Sequence, residues 1–528
     1  MSARRAAART GGAHRSIGRS TAVFAVWTGV SRVAGLAREI LAAALFGTKG
    51  PIAAFVIAFQ VPNLLRSLVA DSALSAAFLP VFTELEEKGR HAEARRLAGA
   101  LVGMISIGLG LLSLVAVVTA PWVMPLFAPG LEDDLQDDLV RLSQIMFPIV
   151  VLLGLTGLVS AVLQAGNRFG PTAFVPVLWN VVIIFTLLVA TPLVADDDRV
   201  TFYAVAIVLG TIAQLLWLLP SLRGLGPFPL SLGFGNPYVK RVLILMLPVT
   251  LGLGLINVNL VIDGAFASLV SDESVRAIDA AFRLYLLPQG MFSVAISTVL
   301  FPSISRLAAR EDWEGMRDTI ADGLRQIFFM LLPASAFLLV LSEPMVRLVY
   351  ERGEFDAQST TLTNEALFMF AIGLAFNGAS LLVIRALFSL QLPWLATKVS
   401  AFGVLLNVAL DAAFYKPFGT GGIPLATSLA SIVTFIALTW MVERELGGLH
   451  REWILDGVMR SAVASAIAAL LGWASWRVLD DALGQSLGAQ LLSVGTAVAA
   501  AAIAYLSAAQ AFEMHELRAL SRLVRPLR

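Results

Sequence analysis

The sequence predicts an all-α integral membrane protein of about fourteen transmembrane helices, set out as two parallel six-helix lobes plus two C-terminal helices. Three observations carry this expectation. Of the 528 residues, 58% are hydrophobic and only 14% charged, far from the composition of water-soluble domains. Apolar runs of about 20 residues, the length needed to cross a bilayer, recur along the whole chain. A charged, proline-bearing stretch occurs twice, and the interval between its copies holds six of those runs.

Taken in order, spans 1 to 6 fall near residues 21–47, 51–83, 97–127, 139–165, 172–194 and 201–222. Spans 7 to 12 fall near 241–270, 278–302, 325–342, 361–390, 397–416 and 422–442, and spans 13 and 14 near 455–478 and 487–511. Span 1 follows Arg4, Arg5, Arg9, Arg15 and Arg19, as the core of a signal peptide would. It is roughly 27 residues long against about 7–15 for a cleaved signal, and three charges interrupt it, so it reads as a retained span. The domain plan is a basic tail (1–20), an N-lobe (21–223), a linker (224–240), a C-lobe (241–443), the last two spans (444–511) and a second basic tail (512–528). Lys88, Arg90, Arg95, Arg96, Arg241, Arg306, Arg310, Arg444 and Arg451 fall on the side of the basic N-terminus, while "LEDDLQDD" (131–138) and "ADDD" (195–198) fall opposite. By the positive-inside rule both termini are cytoplasmic, which requires an even number of spans.

The repeat sets "SAAFLPVFTELEEKGRHAEARR", from Ser75, against "STVLFPSISRLAAREDWEGMRD", from Ser297. A looser match sets "LWNVVI" around Asn180 against "LLNVAL" around Asn407, so the offset is roughly 222 to 227 residues. Six spans separate the copies, which keeps them in one orientation. Two such lobes with a cavity between them form a transporter architecture that works by rocking. Chance similarity among apolar helices is the plainer alternative.

Span 1 contains "SRVAGLAREI", with Arg32, Arg38 and Glu39 deep in the apolar stretch. Arg32 lies about 17 Å along the helix from Thr21, too deep for an easy reach to the near surface. Span 2 adds Arg66 after a break at Pro62, then Asp71; span 8 adds Asp279 and Arg283 before a break at Pro288. At about 2.5–3.5 kcal/mol per central arginine, four such groups cost on the order of 10 kcal/mol in lipid. They must face water, a partner or an anionic ligand, or else pair internally, as Arg32 or Arg38 with Glu39 and Arg66 with Asp71. The preferred reading is a cationic cavity for a phosphate or pyrophosphate, because the planar guanidinium fork suits phosphate oxygens.

A second constellation is rich in oxygen. "INVNLVIDGAFAS" puts Asn259 and Asp263 one turn apart, "LLNVALD" does the same for Asn407 and Asp411, and "GGIPLATS" places Pro424 beside Ile423 and one turn before Thr427. The proline is expected to loosen the backbone at Ile423. Two carboxylates, an amide, a hydroxyl and a free carbonyl suit a hard cation; interhelical hydrogen bonding is the simpler use of the same residues.

Several classes drop out. There is no GxxxxGK[ST] loop and no HExxH, and Gly252 and Gly254 read as packing glycines. With no cysteine there is no thiolate chemistry, and His14, His91, His450 and His515 all lie outside the apolar runs, so no buried histidine metal site and no catalysis are expected. The net charge of +1 offers nothing to nucleic acid.

The segments "SRVAGLAREILAAALFG", "AFQVPNLLRSLVADSALSAAFLPVFTE", "TAPWVMPLFAPG", "GNRFGPTAFVPVLWN", "FRLYLLPQGMFSVAISTVLFPSISR" and "YERGEF" together resemble the MurJ (MviN) family of lipid II flippases, over about residues 20–450. That family shares a superfamily with the multidrug and toxin extrusion exporters and the polysaccharide flippases. The resemblance implies movement of lipid II, the undecaprenyl-pyrophosphate-linked disaccharide-pentapeptide, from the inner to the outer leaflet of the bacterial plasma membrane. Membrane lipids and the cell-wall synthesis machinery are the other partners it implies, and no nucleic acid. It assigns substrate binding to Arg32, Arg38, Glu39, Asn63, Arg66, Asp71 and Arg283, and a sodium ion, as the one cofactor, to Asp263, Asn407, Asp411, Ile423 and Thr427. Sodium or the membrane potential would bias the return step, and the last two spans would line a groove for the lipid tail. Two departures stand out: some relatives carry acids where this chain has Ala53 and Leu286, and some continue into soluble C-terminal domains beyond a tail such as "LRALSRLVRPLR".

Other readings remain. A flippase for another polyprenyl-linked glycan would use the same cavity. A cation-coupled drug exporter of the same fold would want an acidic, aromatic cavity, which four arginines oppose. A membrane transferase would need catalytic carboxylates such as Asp71 or Glu84, and a scaffold would need none of these residues.

Overall fold

The computed structural model describes residues 26–69, 72–166, 168–224, 228–229, 231–233 and 235–517, with side chains at all of these except 66–69, 72–76, 190, 197, 247–249 and 251–256. The described residues hold no strand. The chain divides into two compact units, Met1–Ala265 and Phe266–Arg528.

In the first unit α1 (26–46) closes at Gly47, whose φ of 58° suits a residue without a Cβ. Helix α2 (Pro51–Val69) starts on a proline, whose missing N–H would be unbonded there in any case. Pro62 falls inside α2 and Pro80 inside α3 (Ser72–Glu87), and both helices run through them. Helix α4 (His91–Val123) presents a stripe at helical spacing, Leu111, Leu114, Val118 and Trp122, with exposures of 60, 59, 58 and 71%. Against water each of these would forfeit about 1.5–3 kcal/mol, so the stripe faces lipid. Helix α5 (Asp133–Met146) begins ahead of the expected 139 and takes in most of the acidic run. Asp133 and Asp134 lie in its first turn, where negative charge favours the helix. Across Phe147 and Pro148 follow α6 (Ile149–Ala165), α7 (Phe169–Ala190), α8 (Arg199–Leu218) and α9 (Pro237–Val270). Phe78, Val81, Leu97, Leu101, Val150, Leu158 and Val242 pack α3, α4, α6 and α9 into one core.

In the second unit α10 (Asp272–Pro288) is capped by Ser271, whose Oγ accepts from the Ser274 N–H at 3.1 Å. The expected break at Pro288 takes the form of a π turn, Gln289–Ser293, before α11 (Val294–Ala309). Gly378, on α13 (Ala357–Ser389), lets the turn approach: a Cβ there would lie 2.2 Å from Ser293 Oγ. Helix α12 (Trp313–Tyr350) kinks at Leu341, just before Pro344. Helices α14 (Pro393–Phe418) and α15 (Gly422–Leu446) join through Gly419–Gly421, and Gly447, at φ 72°, ends α15. Helix α16 (Arg451–Leu483) and α17 (Leu487–Ala511) lie against each other, and α16 against α12. Ten stretches among the described residues are long and apolar enough to cross a membrane; one, Pro393–Leu446, contains both α14 and α15, and Pro51–Leu65 and Asn257–Val270 are shorter apolar helices.

Candidate functional site

In the first unit the site is built on α1. Arg38 and Glu39 are 7% and 4% exposed, and Arg38 Nη2 donates to Glu39 Oε1 at 2.5 Å. One internal pairing considered from the sequence is therefore present. It does not use up the guanidinium, because Arg38 Nε and Nη1 are buried with no hydrogen-bond partner among the described residues. Beneath the group lies Trp179 of α7, its ring centroid 4.5 Å from Cζ, a cation–π contact. Trp179 is held by α8, since Gly210 sits so near that a Cβ would come within 2.9 Å of the indole. Beside it Asn180 Nδ2 donates to the carbonyls of Pro176 at 2.9 Å and Ser31 at 3.4 Å, tying α7 to α1. Arg32 is exposed and Asn63 half-buried. The Arg66 side chain and the whole of Asp71 lie outside the described residues. Ala53 is fully buried.

In the second unit Arg283 grips Asp279 with two hydrogen bonds, Nε to Oδ2 at 3.1 Å and Nη2 to Oδ1 at 3.2 Å. The same carboxylate accepts from Arg276 Nη1 at 2.6 Å, and Arg276 is 3% exposed. Sequence reasoning missed Arg276 because span 8 was begun at residue 278. The signal was there: Arg276, Asp279 and Arg283 recur at i, i+3 and i+7 on one helix face.

The oxygen-rich residues fall in both units. In the first, Asn259 Nδ2 donates to Asp263 Oδ1 and Oδ2 at 3.3 and 3.1 Å, and Asp263 is 6% exposed. In the second, Asn407 Nδ2 donates to Asp411 Oδ2 at 2.6 Å and Asp411 is fully buried. The loosened carbonyl expected at Ile423 is not what the structure has. Pro424 occupies the first turn of α15, where a proline disrupts nothing, and the Ile423 carbonyl accepts from Thr427 Oγ1 at 3.2 Å. Thr427 belongs to a longer chain that the sequence did not reveal. Gln289, in the π turn after Pro288, donates to Asn377 Oδ1 at 2.6 Å; Asn377 Nδ2 donates to Ser431 Oγ at 3.0 Å; Ser431 Oγ donates to the Thr427 carbonyl at 2.8 Å. The segment carrying Arg283 is thereby joined, bond by bond, to Thr427 and Ile423.

Comparison with known proteins bears on the chain as a whole. The family profile described as lipid II flippase MurJ matches residues 42–481. The chain is 32% identical over 462 residues to a lipid II flippase MurJ of Burkholderia cenocepacia, covering 85% of this chain and 88% of that one. It is 30% identical over 475 residues to a probable lipid II flippase MurJ of Synechocystis sp., covering 88% of each. Among solved structures, a lipid II flippase MurJ in an inward closed conformation superposes with a TM-score of 0.76 at 22% identity, over 93% of this chain and 98% of that one. An inward-facing multidrug resistance MATE family transporter of the MOP superfamily gives 0.68 at 14% identity, over 79% of this chain and 94% of that one. A match that runs through most of both units, with arginines buried in α1 and α10, places the chain in the lipid II flippase MurJ family.

Proposed function

We propose that this chain moves lipid II from the inner to the outer leaflet of the bacterial plasma membrane by alternating access, making and breaking no covalent bond. The observation that supports this most directly is the Arg38 guanidinium: a buried cation with donors left over after its own carboxylate is served. Unbonded buried donors are costly, and a diphosphate supplies the acceptors that remove the cost. Arg32, Arg66 and Arg283 share the neutralisation of the diphosphate, with Glu39, Asn63 and Asp71 setting their charge and orientation. The lipid tail stays in the bilayer throughout, and fourteen crossings leave both termini on the cytoplasmic side.

Asp263, Asn407, Asp411, Thr427 and the Ile423 carbonyl offer a donor set made wholly of oxygen, which fits sodium. Thr427 gives its proton to the Ile423 carbonyl, which brings two of these oxygens together. The Gln289–Asn377–Ser431 chain would carry the state of that set to the Arg283 segment, and the membrane potential adds about 2.3 kcal/mol per charge per 100 mV.

The test is translocation of lipid II by the purified chain in vesicles, with and without a sodium gradient. Wild type is expected to translocate and Arg38→Ala to lose at least about tenfold, the equivalent of one charge-assisted hydrogen bond. Equal rates in the two proteins would refute the reading. Translocation by wild type that ignores sodium would refute the coupling and leave the substrate assignment intact.

A further inference from the structure

A cluster of possible ligands lies away from the arginines, where α12 begins and the linker between α15 and α16 ends. Glu314 and Asp318 stand one turn apart on α12, and His450 is the residue before α16. Gly447 and Gly448, at φ 72° and 134°, turn the linker so that the imidazole folds over the two carboxylates. His450 Nε2 lies 3.1 Å from Asp318 Oδ1 and 3.4 Å from Glu314 Oε1, and the three donor atoms all lie within 4.8 Å of one another. Arg317 Nη1 takes the other oxygen of Glu314, Oε2, at 2.8 Å, and Arg317 Nε donates to the Leu446 carbonyl at 3.0 Å. One guanidinium thus orients the carboxylate and holds the linker in place.

Two features distinguish this from a surface ion pair. His450 Nε2 is buried at the atom level and has no hydrogen-bond partner, although a carboxylate oxygen is 3.1 Å away. The nitrogen therefore lies beside both oxygens without being committed to a hydrogen bond with either. The two spacings from Nε2 to the carboxylate oxygens also match a common metal. Ligands about 2.1 Å from one ion stand about 3.0 Å apart at a right angle and about 3.4 Å apart at the tetrahedral angle.

We propose that Glu314, Asp318 and His450 form a site for a divalent transition-metal ion of zinc-like preference, bound through Oε1, Oδ1 and Nε2. One imidazole with two carboxylates suits such an ion, whereas magnesium and calcium favour oxygen alone. Glu314 and Asp318 are 63% and 65% exposed, so the ion enters from solvent and water completes its coordination. Once bound, it clasps the start of α12 to the linker that leads into α16, joining residues more than a hundred positions apart in sequence.

The experiment uses the full chain, purified in detergent with any affinity tag removed and stripped with a chelator, then titrated with zinc against a chromophoric competitor. Cobalt is added in parallel and read by its visible absorption. Wild type is expected to take up one equivalent of zinc, to show cobalt bands and to take up no magnesium at the same concentration. His450→Ala and Asp318→Asn each weaken zinc binding by about tenfold or more. His91→Ala, removing a histidine that lies 2.8 Å from Glu86, leaves it unchanged. If His450→Ala fails to fold, Asp318→Asn carries the test. Equal zinc uptake by wild type and Asp318→Asn overturns the proposal. So does a wild type that takes up no zinc.

Discussion

Replacing Glu516 with glutamine deletes one charge and almost no volume at a place where the last two spans are fastened to α12. Arg325 and Glu516 are 2% and 4% exposed at the side chain, and Arg325 Nε donates to Glu516 Oε1. Arg325 Nη1 also donates to the Trp453 carbonyl at 2.8 Å, and its Cζ lies 3.8 Å from the centroid of the Trp453 ring. Gly457 makes room: a Cβ there would come within 2.5 Å of Arg325 Nε. Breaking a buried pair from one side strands the other charge, at about 3–5 kcal/mol. Asp456 Oδ2, 4.0 Å from Arg325 Nη1, is a partial substitute, so the lower end applies, about 3 kcal/mol. For a unit of this size that lowers Tm by roughly 6–12 °C. The assay is thermal unfolding of Glu516→Gln in detergent beside Arg325→Met/Glu516→Leu. The double variant leaves no stranded charge and should recover most of the loss, to within about 1–2 kcal/mol of wild type. A silent single variant, or a double variant as unstable as the single, would refute the reasoning.

Other expectations follow from the same geometry. Trp179→Leu removes the ring beneath Arg38 and should cost about 2 kcal/mol in stability, read by thermal unfolding, with Trp179→Phe recovering part of it. Gly378→Ala pushes a methyl against Ser293 Oγ and Leu331 Cδ1, at 2.2 and 2.3 Å, and should destabilise by about 1–3 kcal/mol. Asn377→Leu cuts the chain from Gln289 to Ser431 and should abolish the response of translocation to sodium while lipid II still binds, as a binding assay beside the flux assay would show. Hydrogen bonds from Lys88 and Arg241 hold the Glu84 carboxyl below its ordinary value. A lowered carboxylate contributes stability above its unfolded value of about 4.3 and loses it as pH falls through the folded value. Glu84→Gln should therefore lower stability at neutral pH, leave it unchanged below the folded value where the carboxylate is already protonated, and so flatten the acid limb between the two.

Much of the fold could be read without coordinates. Apolar length marks the spans because the bilayer imposes it, and Pro288 announced a break that is present, whereas the break expected at Pro62 is absent because α2 continues through that proline. The break's π form was not legible, since it depends on how closely Gly378 lets α13 approach. Pro424 misled for a related reason: a proline frees a carbonyl only inside a helix, and the start of α15 could not be located to one residue. Within the candidate site, the i, i+4 pairs Asp279–Arg283, Asn259–Asp263 and Asn407–Asp411 were legible because helical spacing alone brings them together.

The sequence alone determined what the bilayer and local geometry dictate: where apolar helices recur, which charges are too deep for lipid, which residues pair one turn apart, and membership of a family through a set of motifs. Tertiary structure decided which distant groups several of the charges meet. Trp179 lies under Arg38, Glu516 closes on Arg325, Asp480 on Arg347 at 2.5 Å, and His450 folds over Glu314 and Asp318. Those partners stand more than a hundred residues apart in the chain. No periodicity links them, because the side-chain packing between helices, and not spacing along any one of them, sets which faces meet.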